Sequence, residues 1–157
     1  MPTFQITGLP AEPFAHLATL DADALARRGI CRVTADSLPG YPCRISLADA
    51  EPGAELLLLT WAHHEVNSPY RAAGPVYVRV GAQPRSLAPG EVPDSVRSRL
   101  VSVRAYDAQH MMVEAEVVDG TMAAATLAQL FERPDVQYAH VHYARRGCFA
   151  CEARRVP

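Results

Sequence analysis

The chain has 157 residues, 49% of them hydrophobic, and a formal net charge of −2. This length and composition predict one globular domain spanning residues 1–157. The weak negative charge argues against binding to nucleic acid or to an anionic membrane surface.

The start of the chain has no targeting signal that we can identify. "MPTFQITGLPAEPF" lacks the basic segment followed by an apolar stretch that marks a signal peptide. No apolar run approaches the roughly twenty residues of a membrane helix. We therefore expect a cytoplasmic protein whose four cysteines are reduced.

Two short helices and three strands are predicted before residue 62. "EPFAHLATL" is spaced as a short amphipathic helix, and "DADALARRG" predicts a second helix with Asp21 as N-cap and Gly29 as left-handed C-cap. "CRVTA", "CRISL" and "ELLLLTW" are short and bounded by turn residues, which is typical of strands. In "CRISL" the alternation places Arg44 on the face opposite Cys43 and Leu47.

The segment "NSPYRAAGP" joins the strand "ELLLLTW" to the next strand, "VYVRV". Its Asn, Ser, Pro and Gly residues predict a structured loop, with Tyr70 and Arg71 in its middle. Such loops often present binding residues on a rigid scaffold, so Ser68, Tyr70 and Arg71 are candidates for ligand binding. The alternative is a turn whose tyrosine packs back on the sheet.

The second half of the chain adds further strands and two helices. "VYVRV", "SVRAYD" and "MMVEAEVV" read as strands. "VPDSVRSRL" predicts a short helix with Pro93 in its first turn. "TMAAATLAQLFERP" is the clearest helix, with Thr121 as N-cap and Pro134 as the stop.

The last two strands, "YAHVHY" and "CFACEARR", form a hairpin whose turn contains Gly147. A three-residue loop would pair His140 with Glu152 and His142 with Ala150, and would put Cys148 on the histidine face. A four-residue loop would shift the register by one, pair His140 with Cys151, and turn Cys148 away. The sequence leaves both registers open, and with them the choice of a histidine-activated thiol.

Strands do not alternate regularly with helices, so the pattern predicts an α+β fold rather than a doubly wound one. The period-two alternation indicates a mostly antiparallel, curved sheet with a few short helices packed on it. The non-core faces carry large hydrogen-bonding or cationic groups: Arg44, Tyr77, Arg79, Arg104, Tyr106, His140 and His142. If the sheet curls, they line a pocket for a carboxylate or phosphate; on a flat sheet they point into water.

The spacing of "HVH" projects His140 and His142 from one strand face. A metal site would need further ligands, such as His63, His64 or Glu152, but none stands at a diagnostic spacing. We therefore predict that the purified protein carries no stoichiometric zinc or iron. No cofactor can be named.

Several blocks together resemble a bacterial family of uncharacterised proteins, domain-of-unknown-function family 1203. They are "DSLPGYPCRISLADAEPGAELLLL", "SPYRAAGPVYVR", "RAYD" followed by "MM", and "HVHYARRGCF", in that order over nearly the whole chain. The resemblance implies a stand-alone soluble bacterial protein and brings no reaction, cofactor or active site. Cys151 lies beyond the block that ends "GCFA".

The leading hypothesis is an enzyme or enzyme-like protein that acts on a small anionic molecule. Arg44, Arg71 and Arg104 would hold the anion, and the catalytic candidates are His140, His142 and Cys148, two acid–base groups and a nucleophile. Arg44, Arg71, His140 and His142 are predicted to surround one pocket. The alternatives are a non-catalytic ligand-binding or dimeric accessory module, in which the arginines bind an effector or a second copy, and a histidine-based metal-binding protein.

Overall fold

The computed structural model describes residues 4–157, so the first three residues of the predicted domain lie outside the described part. The fold is α+β with antiparallel sheets, as predicted. The strands are β1 (Phe4–Thr7), β2 (Cys31–Thr34), β3 (Glu55–His64), β4 (Ala72–Arg79), β5 (Leu100–Tyr106), β6 (Met112–Asp119), β7 (Tyr138–Tyr143) and β8 (Phe149–Arg155). The α-helices are α1 (Glu12–Ala15), α2 (Ala22–Arg27), α3 (Asp94–Arg97) and α4 (Ala123–Leu130).

The larger sheet has five strands in the order β1-β8-β7-β5-β6, and each neighbouring pair is antiparallel. Alternate residues of these strands point to opposite faces. On one face, which we call the helix face, α4 packs Leu127 against a core that includes Val103 and Val141. All three side chains are fully buried, so this face is held together by apolar contact.

The smaller sheet has three strands in the order β2-β3-β4, and its own core is built around Leu57, Val76 and Val78. β3 is ten residues long, and its pairing with β4 shifts between Trp61 and His64. The end of β3 reaches across the second face of the five-stranded sheet, which we call the histidine face. The two sheets therefore enclose polar side chains between them.

Helix signals in the sequence were mostly reliable. Asp21 accepts a hydrogen bond from the Ala24 amide (2.8 Å), and Gly29 has φ +70°, as the N-cap and C-cap predictions required. Thr121 was wrongly predicted as the cap of the long helix. Thr121 lies inside a 3₁₀ turn. The Asp119 carboxylate accepts hydrogen bonds from the Thr121 amide and from the Thr121 hydroxyl.

The predicted strand "CRISL" is wrong. Residues 44–46 form a turn, and Leu47 has φ +58°. Alternation failed as a guide here because Arg44 is buried (3% exposed) together with its apolar neighbours. β1 is the reverse case, a strand that the sequence analysis missed, and it pairs with β8 at the edge of the sheet.

The described helices are short, and α4 is the longest with eight residues. Within residues 4–157, none has the length and apolar character needed to cross a membrane.

Candidate functional site

His140 and His142 lie on the histidine face of β7, next to β8, which confirms the arrangement predicted from "HVH". Their ring centroids are 6.4 Å apart, and both side chains are buried. The antiparallel register places Arg104 of β5 and Glu152 of β8 on either side of His140. The centre of the sheet is thus polar on this face.

Three more histidines reach the same place from other segments. His63 and His64 come from the end of β3, and His110 comes from the turn between β5 and β6. The His63 ring lies 5.2 Å from that of His142, and the His64 ring lies 4.9 Å from that of His140. Five of the chain's six histidines therefore form one group, which we call the histidine cluster.

Tyr138 links two members of the cluster. His64 donates from Nδ1 to the Tyr70 carbonyl (2.8 Å), so that nitrogen carries its proton. Burial lowers the pKa of His64, so the ring is neutral and Nε2 carries no proton. Nε2 therefore accepts a hydrogen bond from the Tyr138 hydroxyl (2.6 Å). The same hydroxyl accepts from Nδ1 of His110 (2.8 Å). Two histidines thus share one phenol, an arrangement along which a proton can pass.

His140 forms a buried pair with Glu152, whose Oε2 lies 2.9 Å from Nε2 of the ring. Burial alone would raise the pKa of Glu152, but hydrogen bonds and charge from His140 and Arg154 hold it below its usual value. The carboxylate is therefore ionised at neutral pH, and Nε2 carries a proton. A carboxylate that fixes an imidazole in this way leaves the opposite nitrogen as a base.

The His142 and His63 rings are neutral at pH 7. Burial, above all, lowers the pKa of His142 to about 3, although its Nδ1 donates to the Gly147 carbonyl (2.9 Å). Burial and the neighbouring His140 and His64 lower the pKa of His63 to about 4. A neutral imidazole keeps one lone pair, so each of these rings can accept a hydrogen bond at pH 7.

Three ring nitrogens of the cluster are buried without a hydrogen-bond partner: His63 Nδ1, His140 Nδ1 and His142 Nε2. Within residues 4–157 no other buried side-chain nitrogen or oxygen is left unpaired. An unpaired buried polar atom costs about 1–3 kcal/mol, so three in one cluster require an explanation beyond folding. A ligand or ordered water that completes the cluster would supply one.

A cavity of about 470 Å³ opens beside the cluster and is lined by His63 and Glu152 as well as by Arg44. Arg44 donates from Nε to the Phe149 carbonyl (2.8 Å) and from Nη1 to the Pro42 carbonyl (2.6 Å). Within residues 4–157 no carboxylate pairs with this buried cation. Arg44 also lines a second cavity, of about 730 Å³.

The closing hairpin combines the two registers that the sequence left open. The Tyr143 amide donates to the Cys148 carbonyl (2.9 Å), so the loop has four residues, 144–147. An extra residue in β8, Ala150, then restores the pairing of His140 with Glu152 that the three-residue loop predicted.

The loop and the bulge together separate both thiols from the histidines: the four-residue loop turns Cys148 away, and the bulge turns Cys151 away. His142 pairs with Phe149 instead of Ala150, and Cys148 lines the larger cavity. Cys151 pairs with Val141 and points into the core of the helix face, where burial raises the pKa of its thiol to about 12. The idea of a histidine-activated cysteine is therefore wrong for Cys151, and no hydrogen bond joins Cys148 to a histidine in the described residues.

The predicted ligand-binding residues are divided between several places. Arg104 is half-buried on the histidine face, where its Nε donates to Ser102 (3.2 Å). Ser68 donates to the His110 carbonyl (2.9 Å), and Tyr70 lies with its ring 6.1 Å from that of Tyr106. Ser68 and Tyr70 hold the loop against the cluster.

Arg71 is the exception among these residues. It is exposed, forms an ion pair with Glu65, and lines neither cavity. The structure therefore does not bring Arg44, Arg71, His140 and His142 around one pocket. An arginine in a loop is easily recognised in a sequence, but its direction depends on how the loop folds.

Tyr106 was predicted from the sequence as a pocket-lining residue, but Tyr138 was not, and neither was placed beside His64. The signal was available: Tyr138 stands two residues before His140, and Tyr106 stands two residues after Arg104, on the same strand faces. Among residues 4–157, no three His, Cys, Asp or Glu side chains are arranged to hold a metal ion. The expected absence of bound metal stays a prediction, which elemental analysis of the purified protein tests.

Comparison with known proteins identifies a family and no function. No curated protein and no solved structure matches the chain. The model of one family, described as "Protein of unknown function (DUF1203)", matches residues 40–155, which include the cluster, Arg44 and Cys148. The chain therefore belongs to the DUF1203 family.

Proposed function

We propose that this protein is an enzyme-like acid–base protein that binds a small anionic molecule in the cavity beside the histidine cluster. The observation that carries the proposal is the buried His140–Glu152 pair, whose second ring nitrogen has no partner. A base oriented by a carboxylate and kept from water is what proton transfer to or from a bound molecule requires.

The charge of the cavity supports an anionic ligand. Among residues 4–157 no carboxylate pairs with the buried cation Arg44, and burial of a lone charge is costly unless it is neutralised. Arg154 and Arg155 also line the cavity, against the single carboxylate of Glu152. A volume of about 470 Å³ accommodates a small metabolite.

His63 connects the cavity to the buried rings. It lines the cavity, stacks on Phe149 (5.1 Å between centroids) and lies against both His140 and His142. An anion placed beside this neutral ring would raise its pKa and draw a proton to it. Binding would then be coupled to proton uptake, which is the first step of acid–base chemistry at this site.

Calorimetry with inorganic phosphate at pH 6, repeated in buffers of different ionisation enthalpy, tests this proposal. We expect binding with uptake of a fraction of a proton, because the bound anion raises the pKa of His63 above its value of about 4 in the free protein. His63→Gln should abolish the uptake, whereas His16→Gln, outside the cluster, should not. Binding that involves no proton exchange would contradict the proposal.

The contribution of the arginines is tested separately. Arg44→Lys should weaken phosphate binding about ten- to a hundredfold, because a point charge does not reproduce the planar guanidinium fork. Arg71→Gln should leave affinity unchanged, since Arg71 lies outside the cavity. Equal effects of the two variants would show that the bound anion is elsewhere.

A further inference from the structure

The larger cavity, of about 730 Å³, shares Arg44 with the smaller one and is lined by Cys148 but by none of the histidines of the cluster. Its wall includes four arginines and one aspartate: Arg44, Arg99, Arg145, Arg146 and Asp119. Hydroxyl groups complete the lining: Ser37, Ser98, Tyr41, Tyr77 and Tyr143. The cavity is thus cationic and rich in hydrogen-bond donors, with one nucleophilic sulfur.

The arginines differ in how far their charge is already neutralised. Arg99 makes two hydrogen bonds to Asp49 (2.6 and 3.0 Å), so its charge is compensated. Within residues 4–157, Arg145 and Arg146 form no ion pair, and they are exposed on the hairpin turn. The cavity therefore keeps uncompensated positive charge near its opening.

Arg44 supplies a fixed cation in the wall of this cavity. Its Nε and Nη1 are bound to carbonyl groups, and its guanidinium lies 5.1 Å from the centre of the Tyr143 ring, which fixes its position. Its Nη2 makes no hydrogen bond within the described residues and, unlike the three unpaired histidine nitrogens, is not fully buried. A guanidinium held in a fixed position in the wall of a cavity is prepared for an acceptor oxygen of a carboxylate or phosphate.

We propose that this cavity is a second anion site, which presents a small carboxylate- or phosphate-bearing electrophile to the Cys148 thiol. The thiol is half-buried, and its one hydrogen bond is a weak contact of 3.9 Å to the Arg146 carbonyl. Of the other cysteines, Cys43 and Cys151 are buried and Cys31 is exposed on a different sheet. Cys148 is therefore the cysteine that combines access with a cationic cavity.

Alkylation with a charged and a neutral reagent tests the site. In both reactions the sulfur of Cys148 forms a bond to the reagent's methylene carbon, iodide leaves with the electron pair, and the thiol proton goes to solvent. The cavity should concentrate iodoacetate but not iodoacetamide. At each cysteine we divide the rate of alkylation by iodoacetate by the rate of alkylation by iodoacetamide. We expect this ratio to be at least about tenfold higher at Cys148 than at Cys31 in the same molecule.

The arginines and the anion give matched controls. Arg145→Gln combined with Arg146→Gln should lower the Cys148 ratio toward that of Cys31, and both positions are exposed, so folding should be unaffected. Inorganic phosphate should slow the alkylation of Cys148 by iodoacetate and leave the rate of alkylation of Cys31 unchanged. Mass spectrometry with peptide fragmentation locates each label.

Equal ratios at Cys148 and Cys31, or a ratio indifferent to loss of both arginines, would overturn the inference. Neither result bears on the acid–base proposal, because Arg145, Arg146 and Cys148 do not line the smaller cavity. Conversely, a lack of proton-linked phosphate binding would leave the alkylation result intact.

Discussion

The two faces of the five-stranded sheet are built from the same strands but bury opposite chemistry. β7 presents Val141 to the helix face and His140 and His142 to the histidine face. The helix face gains about 25 cal/mol for each Å² of apolar surface that it buries. The histidine face instead leaves three ring nitrogens without partners. The histidine face is therefore less stabilising than the helix face, as is common for functional sites.

Acid should destabilise the protein through the histidine face, and this is the largest effect that we expect. The pKa values of His142 and His63 are about 3 and about 4 in the folded state, against 6.5 when unfolded. Below pH 6.5 the unfolded chain binds protons that the folded rings do not. The free energy of unfolding should therefore be at its full value above about pH 7.5. As the pH falls below 6.5, it should decrease by up to about 1.4 kcal/mol per pH unit for each ring.

Urea unfolding between pH 7.5 and 4.5 measures this loss. The half-buried His63 should contribute less than the buried His142, because solvent screens its charge. His142→Gln should flatten the profile, and His16→Gln should not. A free energy of unfolding that stays constant over this range would mean that His63 and His142 bind protons equally well in the folded and unfolded states. The histidine face would then carry no cost from acid that the helix face lacks.

Leu127→Ala should give the next largest effect, and it acts on the opposite face. Leu127 is fully buried on the helix face, so its truncation leaves a cavity in an apolar core and should cost about 2–5 kcal/mol. Val117→Ala, at an exposed position of β6, is the control and should cost less than about 1 kcal/mol. Equal losses in urea unfolding would show that the helix face is loosely packed.

Glu152→Gln should have a smaller effect, about 1–2 kcal/mol at pH 7. The substitution keeps an acceptor for His140 but removes the charge that strengthens the hydrogen bond of 2.9 Å. Glu114→Gln removes an exposed carboxylate, 3.7 Å from Arg133, and should change stability by only a few tenths of a kcal/mol. If both variants unfold at the same urea concentration, the His140–Glu152 pair contributes nothing to the fold.

His63→Phe should have the smallest effect on stability, a gain of up to about 1 kcal/mol in urea unfolding. The change removes an unpartnered buried nitrogen and keeps an aromatic ring against Phe149. Proton uptake on phosphate binding should be lost in the same variant. A large destabilisation would assign His63 to the structure of the protein rather than to its site.

The features that were predicted correctly from the sequence are those that depend on neighbouring residues. Asp21 and Gly29 were correctly predicted because capping depends on a few neighbouring residues. "HVH" correctly predicted two histidines on one face because strand alternation is a local property. "CRISL" misled because its alternation was a coincidence, and Arg44 became buried through contacts with Phe149, which is distant in the sequence.

The candidate site was only half visible for the same reason. The sequence indicated His140, His142, Arg104 and Cys148, but it could not pair them. The four-residue loop turned Cys148 away from the histidines, and the bulge at Ala150 restored the pairing of His140 with Glu152 and turned Cys151 into the core. The ion pair of Arg71 with Glu65 likewise depends on the path of a loop.

By itself, the sequence determined the α+β class, the caps of α2 and the faces of the central strands, since these follow from backbone geometry and residue spacing. Tertiary structure alone decided that β3 would cross the histidine face and bring His63 and His64 to His140. It also decided that Arg44 would be buried between two cavities. The physical reason is that burial and proximity arise from contacts between distant segments, which no local pattern encodes.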